Sequence, residues 1–319
     1  MKEIHPLVSV VILTWNRRDR LLKTMAELRR STYPNLEIIV VDNASFDGTS
    51  DAVQNLHPSV RLILLPRNTG IAGWNEGFRV AAGEYVVVLD DDSHPSPDAI
   101  ANIVAAFKEN DRLGIVACRI LQSQTKEVLN PPLTASGFPS PGDIWMEDVP
   151  YMSFAGEGAG IRASLLHEVG GYDEDFFLYG NEEDLCARAL QASWDIRYFS
   201  SIVFYHDRPS GGRTTPLHCR YHLRNLSEWA RRYLSIGPRL NFVLGVHCMS
   251  RRYWGNRSLV TTWFGQLVVN IVLSLRPQQI RLNQDVIERY RPFCRNGYLS
   301  HRIVYHMKAT LNSHGGSPY

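Results

Sequence analysis

Four short apolar runs open the chain: Leu7 to Leu13, Leu36 to Val41, Val60 to Leu65 and Tyr85 to Leu89. Each is apolar, mostly Val, Ile and Leu, and too short for a helix, which predicts strands; the first and the last read as buried. Each then gives way to polar residues: Thr14-Trp15-Asn16-Arg17, Asp42 to Asp47, Asn68 to Asn75 after Pro66, and Asp90-Asp91-Asp92. Between them Leu21, Leu22, Met25 and Leu28 recur at helical spacing, and Asp51 to Leu56 and Ile71 to Ala82 read as further helices. Strands alternating with helices predict an α/β fold with a parallel, doubly wound sheet. The four polar strand ends then share one edge, where ligands of such sheets collect. That convergence predicts a nucleotide-sized crevice.

Further along, a helix is expected from Pro97 to Asn110 and a strand from Leu113 to Ile120. Gln122 to Pro150 is rich in Pro, Gly and Ser and is read as a loop over the acceptor side. Phe154 to Arg162 carries Ala155, Gly156, Gly158 and Gly160, which suit either close backbone approach to a ligand or a tight strand pair. Asn181 is the expected N-cap of a helix that starts with Glu182, Glu183 and Asp184. Ile196 to Phe199 and Ile202 to Tyr205 read as two short strands, followed by a basic loop, His206 to Arg213. From His218 onward the pattern is helical and basic, with Trp229, Tyr233, Trp254 and Trp263 interspersed.

Charge divides the chain. Pro216 to Tyr319 holds 15 Lys and Arg against 3 Asp and Glu, whereas the preceding part holds 19 against 29. This sets the expected domains at 1–215, acidic and catalytic, and 216–319, a basic helical region suited to an anionic partner. Peripheral membrane contact is one such partner class; an ordinary solvated basic face is the alternative. The five cysteines are dispersed and odd in number, which points to a reducing, cytoplasmic compartment rather than a disulfide framework or zinc site. No secretory leader is read at Met1 to Pro6, and the longest apolar run, Leu259 to Leu275, is short for a membrane span.

Three adjacent carboxylates at a strand end repel one another unless a cation or donor group sits there. Asp90 and Asp92, two residues apart, are therefore candidate ligands of a divalent metal; a solvated acidic turn is the alternative. No GxGxxG follows the first strand and no GxxxxGK[ST] occurs, which disfavours dinucleotide oxidoreductases and P-loop enzymes. The acids at 182–184 have an ordinary explanation in the helix dipole.

The motifs together resemble the family 2 glycosyltransferases of GT-A fold: Val8 to Arg17, Val40 to Thr49, Asn68 to Gly77, Leu89 to Asp92, and Asp173 to Arg188. Within that family the chain is most similar to bacterial rhamnosyltransferase-like members. The resemblance implies a Rossmann-like, mostly parallel central sheet flanked by helices, with the basic helical extension appended. It implies an inverting transfer from a nucleotide-diphosphate sugar, UDP- or dTDP-linked, to a hydroxyl acceptor, as in cell-surface glycan synthesis or the tailoring of a metabolite or protein. Asp42 would contact the base or ribose beside Thr14, Asn16, Arg17, Asn43 and Ser45. Asn68, Gly73 and Asn75 would line the nucleotide and sugar, with Asp91 and Arg213 also on the donor. Asp90 and Asp92 would form the DxD motif holding Mg2+ or Mn2+, completed by His206. The catalytic base would be Glu182, with Glu183 as runner-up and Asp184 orienting. This acidic motif departs from the commoner Glu-Asp-x-Asp-Leu, reading Asn181-Glu182-Glu183-Asp184-Leu185. A sugar nucleotidyltransferase and a non-catalytic nucleotide-sugar-binding module are the competing classes. No nucleic acid partner is expected, homo-oligomerisation stays open, and the expected location is the cytoplasm or the inner face of the plasma membrane.

Overall fold

A computed structural model describes residues 5–129, 147–207, 215–253, 257–277, 279–280, 282–284 and 286–288. The chain runs β1 (Val8–Thr14), α1 (Arg18–Leu28), β2 (Leu36–Asp42), α2 (Thr49–Leu56), β3 (Arg61–Leu64), a 3-10 turn (Gly70–Gly73), α3 (Trp74–Val80) and β4 (Tyr85–Asp90). Next come β5 (Ser93–Pro95), α4 (Ala99–Glu109), β6 (Leu113–Gln122), β7 (Val149–Pro150), β8 (Ala159–Arg162), α5 (Ala163–Val169), α6 (Asn181–Gln191) and β9 (Asp195–His206). Three long helices follow, α7 (Pro216–Tyr233), α8 (Ile236–Tyr253) and α9 (Arg257–Ser274).

One sheet organises the fold, in the order β3-β2-β1-β4-β8-β6-β9-β5, with β7 pairing β9. The first four strands are parallel, and Thr14 lies level with Asp42 while Leu13 lies level with Asp90. The polar strand ends therefore do share one edge. Beyond β4 the sheet is mixed: β8 is antiparallel to β4 and β6, and β6 is parallel to β9.

The uninterrupted apolar runs are explained by two cores. Val86 and Val88 of β4 face one core with Trp74, Phe78, Leu185 and Trp229, while Tyr85, Val87 and Leu89 face the other with Met25, Ile103 and Phe107. Alternation continues past Leu89 and carries Asp90 to the face of Val86 and Val88, the face whose core takes in Leu185 of α6.

Several expectations change in the structure. The glycine-containing stretch contributes β8, a strand inserted between β4 and β6, so the strand-pair reading holds for residues 159–162. The two short strands at 196–205 are one strand, β9, whose pairing with β6 skips from Phe199 to Val203; the extra residues form a bulge. The span read as a loop from Gln122 contains a turn closed by a Leu121–Val128 bridge, and its end forms β7 on β9; residues 130–146 lie outside those described. Pro95 occupies the edge strand β5, where its missing N–H is tolerated. Gly180, at φ 87°, is the cap of α6, not Asn181. That left-handed conformation suits glycine, and Asn181, one residue on, turns its amide back to the Phe176 carbonyl (2.6 Å).

Candidate active site

Three carboxylates and one histidine meet at the end of β4. The edge pairing of β5 with β9 sets Ser93 opposite His206, and His206 Nε2 lies 3.1 Å from Asp92 Oδ1. Asp90, Asp92 and His206 each offer a ligand atom, all within 4.8 Å of one another. Two arginines of the α1 region neutralise this edge. Arg17 donates to Asp91 Oδ1 (2.9 Å) and Asp92 Oδ2 (2.8 Å), and Arg20 donates to Asp92 Oδ2 (3.0 Å) and the Asp207 carbonyl (2.9 Å). Thr14 Oγ1 donates to Asp91 Oδ2 (2.8 Å), and Thr24 Oγ1 donates to the Asp91 carbonyl (2.9 Å).

These contacts set the charges. Burial, with the charges of Glu157 and Asp92 nearby, pushes Asp90 up to about 7. Burial opposes a charged His206, but its bond to Asp92 and the charges of Glu157, Asp92 and Asp90 raise it above the ordinary imidazole range. Burial likewise raises Asp91 against the pull of Arg17. Two carboxylates and an imidazole form a donor set for a hard divalent cation. His206 Nδ1 is buried with no hydrogen-bond partner among the described residues, and Glu157 Oε1 stands 3.8 Å from it.

The neighbouring strand ends build a polar floor. Asp42 Oδ1 accepts from Ser45 N (2.8 Å), Ser45 Oγ accepts from Asn16 N (2.8 Å), and Asn16 Oδ1 accepts from Phe46 N (2.8 Å). The β1 and β2 ends are thus laced together, with the Trp15 and Phe46 rings exposed beside them. Asn43 Oδ1 accepts from Thr69 N (2.8 Å) and its amide donates to the Gly70 carbonyl (3.0 Å), while Asn68 Oδ1 accepts from Gly70 N (2.8 Å). Gly73 closes that turn against Leu13 and Asn43. Asn75 grips the backbone of Tyr172 at both ends, donating to its carbonyl (2.8 Å) and accepting from its N–H (2.7 Å). Arg213 lies outside the described residues.

The three acids at the start of α6 occupy different surroundings. Asp184 is fully buried: Arg188 Nε donates to Oδ2 (2.8 Å) and the Tyr233 hydroxyl to Oδ1 (2.8 Å). Glu183 is buried beside Ser153, and its carbonyl accepts from the Trp229 indole (3.1 Å). Glu182 is half-buried and reaches toward Gly156, where an added Cβ would come within 2.9 Å of its Oε1. Tyr172 links the two ends of the site. Its buried hydroxyl has no hydrogen-bond partner among the described residues, and burial together with the charges of Glu182, Cys186, Asp90 and Glu183 raises it well above the ordinary phenol range.

Asp184→Ala strips the half-buried Arg188 Nε and the buried Tyr233 hydroxyl of their acceptor, and breaking a buried ion pair costs about 3–5 kcal/mol. A large fall in thermal midpoint is expected in a melting curve, with no such fall for Glu182→Gln.

Sequence reasoning did not single out Arg20, Glu157 or Tyr172. Arg20 lies on the polar side of an ordinary amphipathic helix, and Glu157 among small residues; only the folded sheet brings them to the acids. Tyr172 carried a signal in its place between Gly170-Gly171 and Asp173.

Comparison with known proteins agrees with this geometry. The family described as Glycosyl transferase family 2 matches residues 9–170. A Campylobacter jejuni GalNAc(5)-diNAcBac-PP-undecaprenol beta-1,3-glucosyltransferase is 29% identical over 185 residues, 56% of this chain and 58% of that one. An N-acetylglucosaminyl-diphospho-decaprenol L-rhamnosyltransferase of Mycobacterium tuberculosis is 26% identical over 293 residues, 79% of this chain and 94% of that one. In fold, the chain is similar to a mannosyltransferase of Pyrobaculum calidifontis in complex with GDP-Man and Mn2+, at TM-score 0.58 and 20% identity over 98% of this chain and 89% of that one. The matched stretch takes in β1 through α5, with the three strand ends and the Asp90–Asp92 turn inside it, and on that ground the chain belongs to the family 2 glycosyltransferases.

Proposed function

We propose that this protein transfers a sugar from a nucleotide-diphosphate sugar to a hydroxyl acceptor, with inversion and with a divalent metal on the donor. The observation that carries the reading is the convergence of Asp90, Asp92 and His206 on one point, with Glu182 turned to Gly156, whose neighbour Glu157 stands beside His206. Asp42, Asn16 and Ser45 would hold the base and ribose, and Asn68 and Asn43 would shape the loop over the donor. Asp90, Asp92 and His206 would hold Mg2+ or Mn2+, which when bound offsets negative charge building on the departing nucleoside diphosphate. Arg17, already at this edge, would turn to the same phosphates. Glu182 would take the acceptor proton from the side opposite the leaving group, so that a single displacement inverts the anomeric carbon. The Campylobacter and Mycobacterium relatives are named for lipid-linked diphosphate acceptors; a lipid-linked glycan is the acceptor class proposed first here. The acidic region 1–215 would carry the donor site. The basic region 216–319 would support it, since α7 packs on the acid helix through Trp229 and Tyr233.

Calorimetry with UDP, dTDP and GDP, with and without Mn2+, tests the donor site. Strong binding of one nucleotide only with metal is expected. Product analysis then separates the classes: transfer releases a nucleoside diphosphate, whereas nucleotidyl chemistry releases pyrophosphate.

Asp90 makes metal binding pH-dependent. Its pKa is raised from an ordinary value near 3.8 to about 7, so below pH 7 a cation must displace its proton. His206, raised above the ordinary imidazole range, must also give up its proton, so affinity for Mn2+ is expected to rise at least about tenfold per pH unit up to about 7 and to keep rising until His206 too is neutral. The sign for stability is opposite without metal. The folded chain keeps a proton that the unfolded chain sheds, so metal-free stability falls as pH rises from about 4 to about 7. Titration calorimetry from acid to mildly alkaline pH checks the slope, and Asp90→Asn should reduce it to the part that His206 contributes.

Gly156→Ala offers a second handle on Glu182. The added methyl meets only the end of a flexible side chain, so stability should hold while Glu182 is displaced. A fall in turnover of about tenfold or more is expected, because small misplacements of a reacting group carry large rate penalties. Steady-state kinetics and a melting curve of the same sample read both.

A further inference from the structure

Away from the donor edge, α7 and the end of α9 enclose a cavity of about 330 Å3, lined by Arg224, Ser227, Glu228, Arg231, Asn270 and Arg276 among others. Its charge is positive. Glu228 is already engaged by Arg231 and Arg232, which leaves Arg224 and Arg276 as excess cations. Ser227 is 4% exposed, and its Oγ has no hydrogen-bond partner among the described residues. A buried hydroxyl without a partner, facing a basic hollow, is a donor awaiting an acceptor. Asn270 is not available in the same way, since its amide donates to the Leu223 carbonyl (3.0 Å).

A second feature adjoins the cavity. Phe264, Val268, Val272 and Leu275, with Val269 beside them, are between 48 and 61% exposed and recur at the spacing of one helix face. Leu273 and Arg276 carry the edge of that stripe into the cavity wall. No helix among the described residues is long and apolar enough to cross a membrane. A large apolar stripe bordered by arginines is the pattern of a helix lying in a membrane interface.

We propose that this layer docks on an anionic membrane: the stripe of α9 enters the acyl boundary, and Arg224, Arg276 and Ser227 hold the phosphate of a lipid headgroup in the cavity. Anionic lipid is favoured as the occupant because the stripe and the hollow are continuous, matching acyl chain and phosphate in one ligand. The excess positive charge from residue 216 onward agrees in sign. Face-to-face pairing of two copies would cover the stripe, but it would bring like-charged hollows to the rim. This inference does not depend on the transfer reaction.

The test is flotation of the full chain with phosphatidylcholine vesicles, with and without phosphatidylglycerol. Flotation only with the anionic lipid, weakened by salt, is expected. The double variant Arg224→Glu, Arg276→Glu and the single variant Val272→Asp should each lower partitioning about tenfold or more. All three positions are exposed, so melting curves should be unchanged and confirm that the variants fold. Absent flotation of wild type, or variants that float like wild type, overturns the proposal. So does binding of inorganic phosphate without vesicle binding. A wild-type dimer by light scattering that Val272→Asp converts to monomer, with no vesicle binding, also overturns it and assigns the stripe to self-association.

Discussion

Glu182→Gln is expected to lower the turnover number by about a thousandfold while leaving metal-dependent nucleotide binding unchanged. General-base catalysis contributes about 10²–10⁴ in rate, and glutamine keeps the size and polarity of the side chain while removing its proton affinity. The choice among three adjacent acids rests on their surroundings. Asp184 is held by Arg188 and Tyr233, and a carboxylate so committed anchors the helix. Glu183 is buried on the side of Ser153 and Trp229. Glu182 alone of the three is half-buried and turned to Gly156, and its charge acts more strongly on the Tyr172 hydroxyl than that of Glu183. Single-turnover transfer, measured beside calorimetric binding of the nucleotide, separates chemistry from affinity. Wild-type turnover in this variant, with loss in Glu183→Gln, would move the base by one residue.

Asp92→Ala is expected to abolish the gain in nucleotide affinity that Mn2+ confers, a loss of about a hundredfold or more when one ligand and its charge leave the site. Asp92 is where the local cations converge: Arg17, Arg20 and His206 all reach it. Removing it also leaves those groups facing one another, so the thermal midpoint of the metal-free protein should fall. The drop in midpoint and the loss of metal response would then have one cause. Asp92→Asn keeps the volume and should recover part of the midpoint but not the metal response. Nucleotide affinity that still rises with Mn2+ in Asp92→Ala would place the cation elsewhere.

The central parallel strands were legible because they are buried on both sides. β1, β2 and β4 each supply residues to two cores, so nearly every position is apolar and the end of each run is abrupt. The acids of 90–92 were legible for the same reason, as charges placed directly after such a run. The second half was harder. β8 reads as a glycine-rich connection because what packs on its face leaves room only for small residues: Gly160 lies against Ile103 of α4, and Gly158, just before the strand, against Phe204 of β9. β9 reads as two strands because its bulge interrupts the alternation. His206 reaches Asp92 only through an edge pairing of three residues, a long-range contact for which no local pattern exists. The arginine clamp was half legible: Arg17 stands in a motif at the β1 end, whereas Arg20 is one cation among several on α1. Asn43 and Asn75 were read for their polarity; the structure adds that their amides secure the Thr69–Gly70 turn and the Tyr172 backbone.

The seating of α7 against the acid helix bears on how such proteins can be recombined. Trp229 is bonded to the carbonyl of Glu183, and Tyr233 to the carboxylate of Asp184. A chimera joined at Thr215 would marry one protein's α6 to another's α7 and mismatch both bonds at once. Exchange of C-terminal regions to alter acceptor range would therefore succeed only when α6 and α7 travel as a pair, and the crossover point belongs upstream of Gly180 or downstream of Tyr233.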